Sequence, residues 1–246
     1  MQKLWLIPTL LLVALRAFAQ QDQPKRPGPP VISDSSRVRP LTGQQTGRAL
    51  SQGANVQING ADYEVVNRTP SALNEAGKTG VRLSAGTDAG VAWLEGKNFR
   101  EGTIEFDVRG KDEFQKSFVG IAFHGADNRT YEAVYFRPFN FRSTDPVRRV
   151  HAVQYVFEPH FGFQKLRDTR KDEFESAIRP VPEPTGWIHA KIETRAGRVK
   201  VYVNGAAAPC LDVPTLNPAP TGQRIGFWVG NNSDGEFANL NLSPTK

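Results

Sequence analysis

The stretch GWIHAKIETRAGRVKVYVNG, residues 186–205, alternates apolar and polar side chains in two successive runs. The apolar positions are Ile188, Ala190 and Ile192 in the first run and Val199, Val201 and Val203 in the second. Successive side chains of a β-strand point to opposite faces, so this period of two predicts two strands that each bury one face. The dipeptide Asn204-Gly205 at the end of the second run is typical of a tight turn.

Three further runs, at 104–108, 119–123 and 225–229, show the same alternation, and a glycine soon follows each of them. Many short strands separated by turn residues are typical of an all-β sandwich or barrel. We therefore expect residues 51–246 to form one all-β domain.

The N-terminal 50 residues differ from the rest of the chain. Residues 1–19 begin with a basic side chain, continue with an apolar run and end in Ala-Phe-Ala, an order that predicts a secretory signal peptide. Residues 20–50 are rich in proline, glutamine and arginine and poor in large apolar groups, which predicts a flexible basic linker. No later stretch is long and apolar enough to predict an integral membrane span. We expect an exported protein, periplasmic or extracellular.

The formal charge of +6 does not point to nucleic acid. Residues 51–246 carry 24 basic and 23 acidic side chains, so the excess positive charge lies in the signal peptide and linker. A nucleic-acid-binding domain concentrates basic side chains on its folded surface. The distribution of charge therefore excludes this class of partner.

Several segments together resemble the concanavalin A-like lectin/glucanase superfamily, with similarity to its laminin-G-like and 3-keto-disaccharide-hydrolase-type members. The segments are GTIEFDVRG (102–110), FVGIAF (118–123), YEAVYFRPFNF (131–141) and IGFWVG (225–230). The resemblance implies a jelly roll, that is, a two-sheet antiparallel β-sandwich with carbohydrate bound on the concave face of one sheet. Because that superfamily contains lectins, glucanases and binding modules, the fold alone does not assign an activity.

Retaining glucanases of this superfamily carry the motif E-x-D-x-x-E, whose two glutamates act as nucleophile and acid/base. Here Glu105 and Asp107 match the first half, but Gly110 stands where the second glutamate is required. That chemistry is excluded, and Glu105 and Asp107 become solvent-facing residues of an alternating strand.

No metal site or cofactor follows from the spacing of histidine and cysteine. The four histidines lack His-x-x-x-His or His-Glu spacing, and Cys210 is the only cysteine. Residues 231–235, NNSDG, contain oxygen ligands suited to a structural calcium ion, as the resemblance implies, but the same residues are typical of a turn, and we expect a turn there.

The alternation sorts side chains onto two faces. If Val119, Val134 and Val153 point into the core, the opposite face carries small residues edged by His124, Tyr135, Arg137 and Gln154. A tyrosine ring can stack on a sugar, and arginine and glutamine supply fixed donors to its hydroxyls. We expect these four side chains to line a carbohydrate groove.

The same sorting places Glu132 on the core side. A buried carboxylate needs partners, and we expect Arg142, Arg167 or backbone groups to supply them. Alternatively, a β-bulge turns Glu132 into the groove, where Glu132 or His124 would be the catalytic proton-transfer group.

Three functions remain open. The first is an exported carbohydrate-binding sandwich, the second a glycoside-processing enzyme of the 3-keto-disaccharide-hydrolase type, and the third a laminin-G-like adhesion or structural module. The sequence leaves open the sugar, the occurrence of catalysis and the oligomeric state.

Overall fold

The computed structural model describes residues 53–75 and 77–245, and the predicted signal peptide and linker lie outside them. The described residues form two antiparallel β-sheets with three short helices, which confirms the predicted all-β sandwich. The strands are β1 Ala54–Ile58, β2 Ala61–Val66, β3 Pro70–Glu75, β4 Lys78–Leu83, β5 Gly90–Asn98, β6 Gly102–Arg109, β7 Val119–Gly125, β8 Tyr131–Phe136, β9 Val153–Glu158, β10 Glu175–Ser176, β11 Ile188–Arg195, β12 Arg198–Val203, β13 Leu211–Pro214, β14 Arg224–Val229 and β15 Gly235–Pro244. The helices are α1 Pro138–Phe141, α2 Pro146–Val150 and α3 Phe163–Thr169.

Sheet A has the strand order β1-β2-β5-β14-β7-β8-β9-β10, and sheet B has the order β13-β12-β11-β6-β15-β4-β3. The three helices lie in the connections that follow β8 and β9. Among the described residues, no helix has the length and apolar character that crossing a membrane requires.

The hairpin formed by β11 and β12 accounts for the alternation at 186–205. Ala190 pairs with Val203 and Ile192 with Val201, which places the apolar set of both strands on one buried face. Asn204 and Gly205 have φ angles of 53° and 70°, the left-handed conformation that tight turns require. Both strands and the turn are therefore as predicted.

The core lies between the inner faces of the two sheets. Phe227 of sheet A stacks on Phe237 of sheet B with ring centroids 4.8 Å apart, and it also meets Phe106 of sheet B at 6.4 Å. All three rings are buried. Burial of apolar area of this kind is the main free-energy gain of a sandwich, at roughly 25 cal/mol per Å².

The outer face of sheet A is also buried. Every residue of β7 and β8 is buried, on both faces of the strands. On the outer face, Tyr135 stacks on Trp228 at 4.8 Å, and the indole Nε1 of Trp228 donates to the hydroxyl of Tyr131. Phe118 completes this layer with an edge contact to Tyr135 at 6.2 Å. Aromatic side chains thus fill the middle of this face.

The outer face of sheet B is polar and partly exposed. Asp107 accepts hydrogen bonds from Lys78 (2.6 Å), Asn239 (2.6 Å) and His189 (2.9 Å). Glu105, its neighbour on the same face, lies 3.6 Å from His189. Burial alone would raise the pKa of Asp107, but these hydrogen bonds and the charge of Lys78 outweigh it, so the pKa lies below its ordinary value.

We predict a pH-dependent loss of stability in the variant Asp107→Asn. A carboxylate whose pKa is depressed by folding stabilises the protein above its unfolded pKa of about 4, and this contribution is lost as the pH falls through the folded pKa. The variant should be less stable than the parent by about 2 kcal/mol at neutral pH, and the difference should shrink towards about pH 3, as measured by urea unfolding. Asp212→Asn, which removes an exposed ion pair with Arg198, is the control and should cost less than about 1 kcal/mol. A difference that stays constant with pH would contradict the assignment.

Candidate functional site

A β-bulge in β7 controls the position of His124. Arg224 pairs with Gly125 and Gly226 with Ala122, so Phe123 and His124 together stand opposite a single residue of β14. His124 has a φ of 52°, and the bulge turns its ring to the inner side, where it meets Glu132. The predicted placement of His124 on the outer face is therefore wrong, because strict alternation breaks at this bulge.

Glu132 is fully buried and accepts three side-chain hydrogen bonds. Its Oε1 faces Nδ1 of His124 at 2.7 Å and accepts from Nδ2 of Asn217 at 3.0 Å, while its Oε2 accepts from the hydroxyl of Tyr155 at 2.5 Å. We call these four residues the Glu132 cluster. The expected partners Arg142 and Arg167 are not used, and Arg142 pairs instead with Glu183.

Both ring nitrogens of His124 face protein oxygens. Nδ1 of His124 faces Glu132, and Nε2 faces the carbonyl oxygen of Arg100. Burial and the charge of Glu132 both raise the pKa of Tyr155, which keeps its hydroxyl a donor.

Among the residues that the structure describes, Glu132 and His124 direct their polar atoms to other protein groups rather than to a substrate. Both oxygens of Glu132 and both nitrogens of His124 have protein partners, and the ring of His124 stacks on Phe99 at 5.9 Å. A general acid or base must reach the proton it transfers. The geometry supports the bracing interpretation of Glu132, and a catalytic role for Glu132 and His124 stays a prediction.

The predicted groove residues Tyr135, Arg137 and Gln154 do meet on the outer face of sheet A. The hydroxyl of Tyr135 donates to Oε1 of Gln154 at 2.7 Å, and Nη2 of Arg137 donates to both of these groups. Glu175 of β10 closes the network by accepting from Nη1 of Arg137 at 3.1 Å. We call these four residues the Arg137 network.

The side chains of the Arg137 network are buried from solvent. Tyr135, Arg137 and Gln154 are 4%, 4% and 1% exposed, and burial raises the pKa of Tyr135. His151 adds its backbone carbonyl as a further acceptor for Arg137. These residues therefore satisfy one another, and their role in contacting a glycan stays a prediction. The sequence could not predict that Glu175 joins this network, because a strand of two residues is too short to show an alternating pattern.

A third group, which the sequence did not reveal, lies at the other end of the same face. Asn128 Oδ1 accepts from the indole Nε1 of Trp93 at 2.8 Å and from Nη1 of Arg224 at 3.2 Å. Glu64 accepts from Nδ2 of Asn128 and from Nη2 of Arg224. The guanidinium of Arg224 lies over the buried Trp93 ring, 4.8 Å from its centroid. We call these four residues the Arg224 cluster.

The Arg224 cluster is accessible. The side chains of Arg224 and Glu64 are 29% and 23% exposed, and Asn128 is half-buried. Its members come from β2, the turn after β7, β14 and β5, so no sequence spacing could have indicated that they meet. Only the antiparallel pairing of β2, β5 and β14 brings them together.

The turn at 231–235 uses its oxygens within the protein. The side-chain oxygen of Asn231 accepts from the backbone N–H of Asp88 at 2.8 Å, and Asp234 pairs with Lys111 at 2.7 Å. Ser233 Oγ accepts from Phe118 N–H and donates to Asn231 O. The geometry supports a turn that these side chains hold, and calcium binding there stays a prediction.

Comparison with solved structures finds several chains that are similar to this one. The chain is similar to the carbohydrate-binding module CBM66 from Bacillus subtilis, with a TM-score of 0.51 and 15% identity over 75% of this chain and 96% of that chain. It is also similar to a Bacillus subtilis protein of unknown function with a galectin-like fold, with a TM-score of 0.47 and 12% identity over 78% and 96% of the two chains. A third match is the Ca²⁺-bound exoplasmic/lumenal domain of VIP36, with a TM-score of 0.46 and 11% identity over 73% and 89%.

No protein-family model and no curated protein matches the sequence. At 15% identity, the likeness to the CBM66 structure concerns the fold alone.

We predict that Glu132→Gln destabilises the protein. The amide cannot accept from all three donors, and breaking a buried charged network costs about 3 kcal/mol or more in the free energy of unfolding. Urea unfolding measures the effect, and Glu95→Gln is the control because that side chain is half exposed. Unchanged stability of Glu132→Gln would refute the bracing role and favour the catalytic one.

Proposed function

We propose that this chain is an exported protein whose β-sandwich binds carbohydrate at the Arg224 cluster. The observation that carries the proposal is a set of planar polar groups, Glu64, Asn128 and Arg224, held by one another at a partly exposed end of sheet A. The described fold is similar to that of the solved carbohydrate-binding module CBM66, which supports the proposal.

The chemistry of the cluster suits a sugar. A carboxylate and an amide side by side can accept from and donate to neighbouring hydroxyls, and guanidinium N–H groups offer donors in a fixed plane. Arg224 uses one bond from Nη1 and one from Nη2 within the described residues, so further N–H groups remain for a ligand. The Trp93 ring beneath the guanidinium orders it before binding, which lowers the entropy cost of recognition.

In this proposal the predicted groove residues act indirectly. Tyr135, Arg137 and Gln154 hold the outer face of sheet A in shape through the Arg137 network, and the sugar contacts the end of the face that holds the Arg224 cluster. Export through residues 1–19 and attachment through the linker at 20–50 belong to the same proposal.

We propose that the protein binds a glycan without converting it to a product. Proton transfer at Glu132 or His124 would require the closed Glu132 cluster to open, whereas recognition at the Arg224 cluster requires no rearrangement. The glycoside-processing alternative predicts product formation from a 3-keto-disaccharide or another glycan. The laminin-G-like alternative predicts adhesion to protein and no glycan affinity.

We predict that Arg224→Lys weakens glycan binding by about tenfold or more, because lysine keeps the charge but lacks the planar fork. The purified protein is first screened against a broad glycan panel that includes 3-keto-disaccharides, by ligand-induced thermal stabilisation. Affinity for the best glycan is then measured by calorimetry. The control Arg198→Lys changes an arginine of the outer face of sheet B, which also pairs with a carboxylate, and should bind as the parent does.

Mass spectrometry of the same incubations separates the alternatives. Stabilisation without product supports the proposal, and product that accumulates with time overturns it in favour of an enzyme. Equal affinity of Arg224→Lys and the parent would reject the Arg224 cluster as the contact site. Absence of stabilisation across the panel would reject glycan binding.

A further inference from the structure

Three side chains that can act as metal ligands meet at the edge of the Arg137 network, and one of them, Glu175, belongs to that network. His151 directly follows α2, Asp172 lies in the segment between α3 and β10, and Glu175 begins β10. One ligand atom of each lies within 4.8 Å of the others. We call these residues the His151 cluster. They are brought together by the pairing of β10 with β9, and their spacing along the chain matches no histidine motif.

Glu175 directs one of its carboxylate oxygens towards His151 in this cluster. Its side chain is 3% exposed, and its Oε2 accepts from Nη1 of Arg137 at 3.1 Å. Within residues 53–75 and 77–245, no hydrogen bond reaches its Oε1, which lies 3.4 Å from Nε2 of His151. A cation at this position would add a favourable interaction with a carboxylate that is largely removed from water.

Two of the distances within the cluster match those between ligands of one ion. Nε2 of His151 lies 3.3 Å from Oδ1 of Asp172 and 3.4 Å from Oε1 of Glu175. Metal–ligand bonds of 2.0–2.2 Å at tetrahedral angles place neighbouring ligand atoms about 3.4 Å apart. His151 and Asp172 form a hydrogen bond at 3.3 Å, which is longer than the 2.7 Å contact between His124 and Glu132 in the same molecule.

We propose that His151, Asp172 and Glu175 bind one divalent transition-metal ion, for which zinc is the best match. One imidazole and two carboxylates supply three ligands, and the half-exposed side of Asp172 leaves the fourth position to water. Arg137 orients Glu175 from its other oxygen, as groups behind a metal ligand commonly do. The ion would tie the end of α2 and the segment before β10 to an edge strand of two residues.

The proposal is independent of glycan binding and is tested with zinc alone. The full chain is stripped with a chelator, and zinc chloride is titrated by calorimetry and by thermal melting. We expect one zinc ion per chain and a rise in melting temperature that the chelator reverses, because an ion that binds only the folded state stabilises it. Cobalt(II) in place of zinc should give the intense visible absorption of a four-coordinate site.

Two variants and one control assign the ligands. His151→Ala should abolish the zinc-dependent rise in melting temperature, and Asp172→Asn should weaken zinc binding by about tenfold or more. Both side chains are partly exposed, so these variants should fold, whereas Glu175 is left intact because Arg137 depends on it. His160→Ala removes an exposed histidine outside the cluster and should bind zinc as the parent does.

The opposite results would overturn the proposal. If zinc neither binds nor shifts the melting temperature, the cluster is only a set of contacts between His151 and two carboxylates. If zinc binds equally well to the parent and to His151→Ala, the ion sits elsewhere.

Discussion

The stability of the sandwich depends on the hydrogen bonds that one buried carboxylate accepts. Glu132 lies on the inner face of sheet A, where apolar side chains surround it, and an unpaired charge there would cost several kcal/mol. Its three donors come from separate parts of the chain: His124 from the bulged end of β7, Tyr155 from β9 and Asn217 from the segment before β14. A single group thus fixes the bulge, the pairing of three strands and the course of a long connection.

This constraint separates the structural and the functional parts of sheet A. The polar groups that the core requires are fully used within the Glu132 cluster, and the middle of the outer face is filled by Tyr135, Trp228 and their neighbours. The polar side chains of sheet A that can reach solvent therefore lie at the ends of the strands. The Arg224 cluster and the His151 cluster both lie there, and each assembles side chains that no single strand could supply.

The sequence predicted the sandwich because apolar alternation is a local property, visible in runs such as Val199–Val203. It also placed Tyr135, Arg137 and Gln154 on a common face. It failed at His124, because a β-bulge inserts a residue without any change in composition. It missed the partners of Glu132 and the whole of the Arg224 cluster, since Asn217 and Glu64 lie 85 and 160 residues from the groups they bind. Contacts of that range follow from topology, which periodicity does not encode.

The two-residue length of β10 has a consequence for how copies of the protein meet. An exposed sheet edge offers unpaired backbone groups on which another chain can extend the sheet, and β10 offers very few of them. In sheet B, the edge strand β13 has four residues and ends in Pro214, which has no N–H to donate. Backbone-mediated aggregation is thereby confined to the two remaining edges, β1 and β3, and β3 itself begins with a proline.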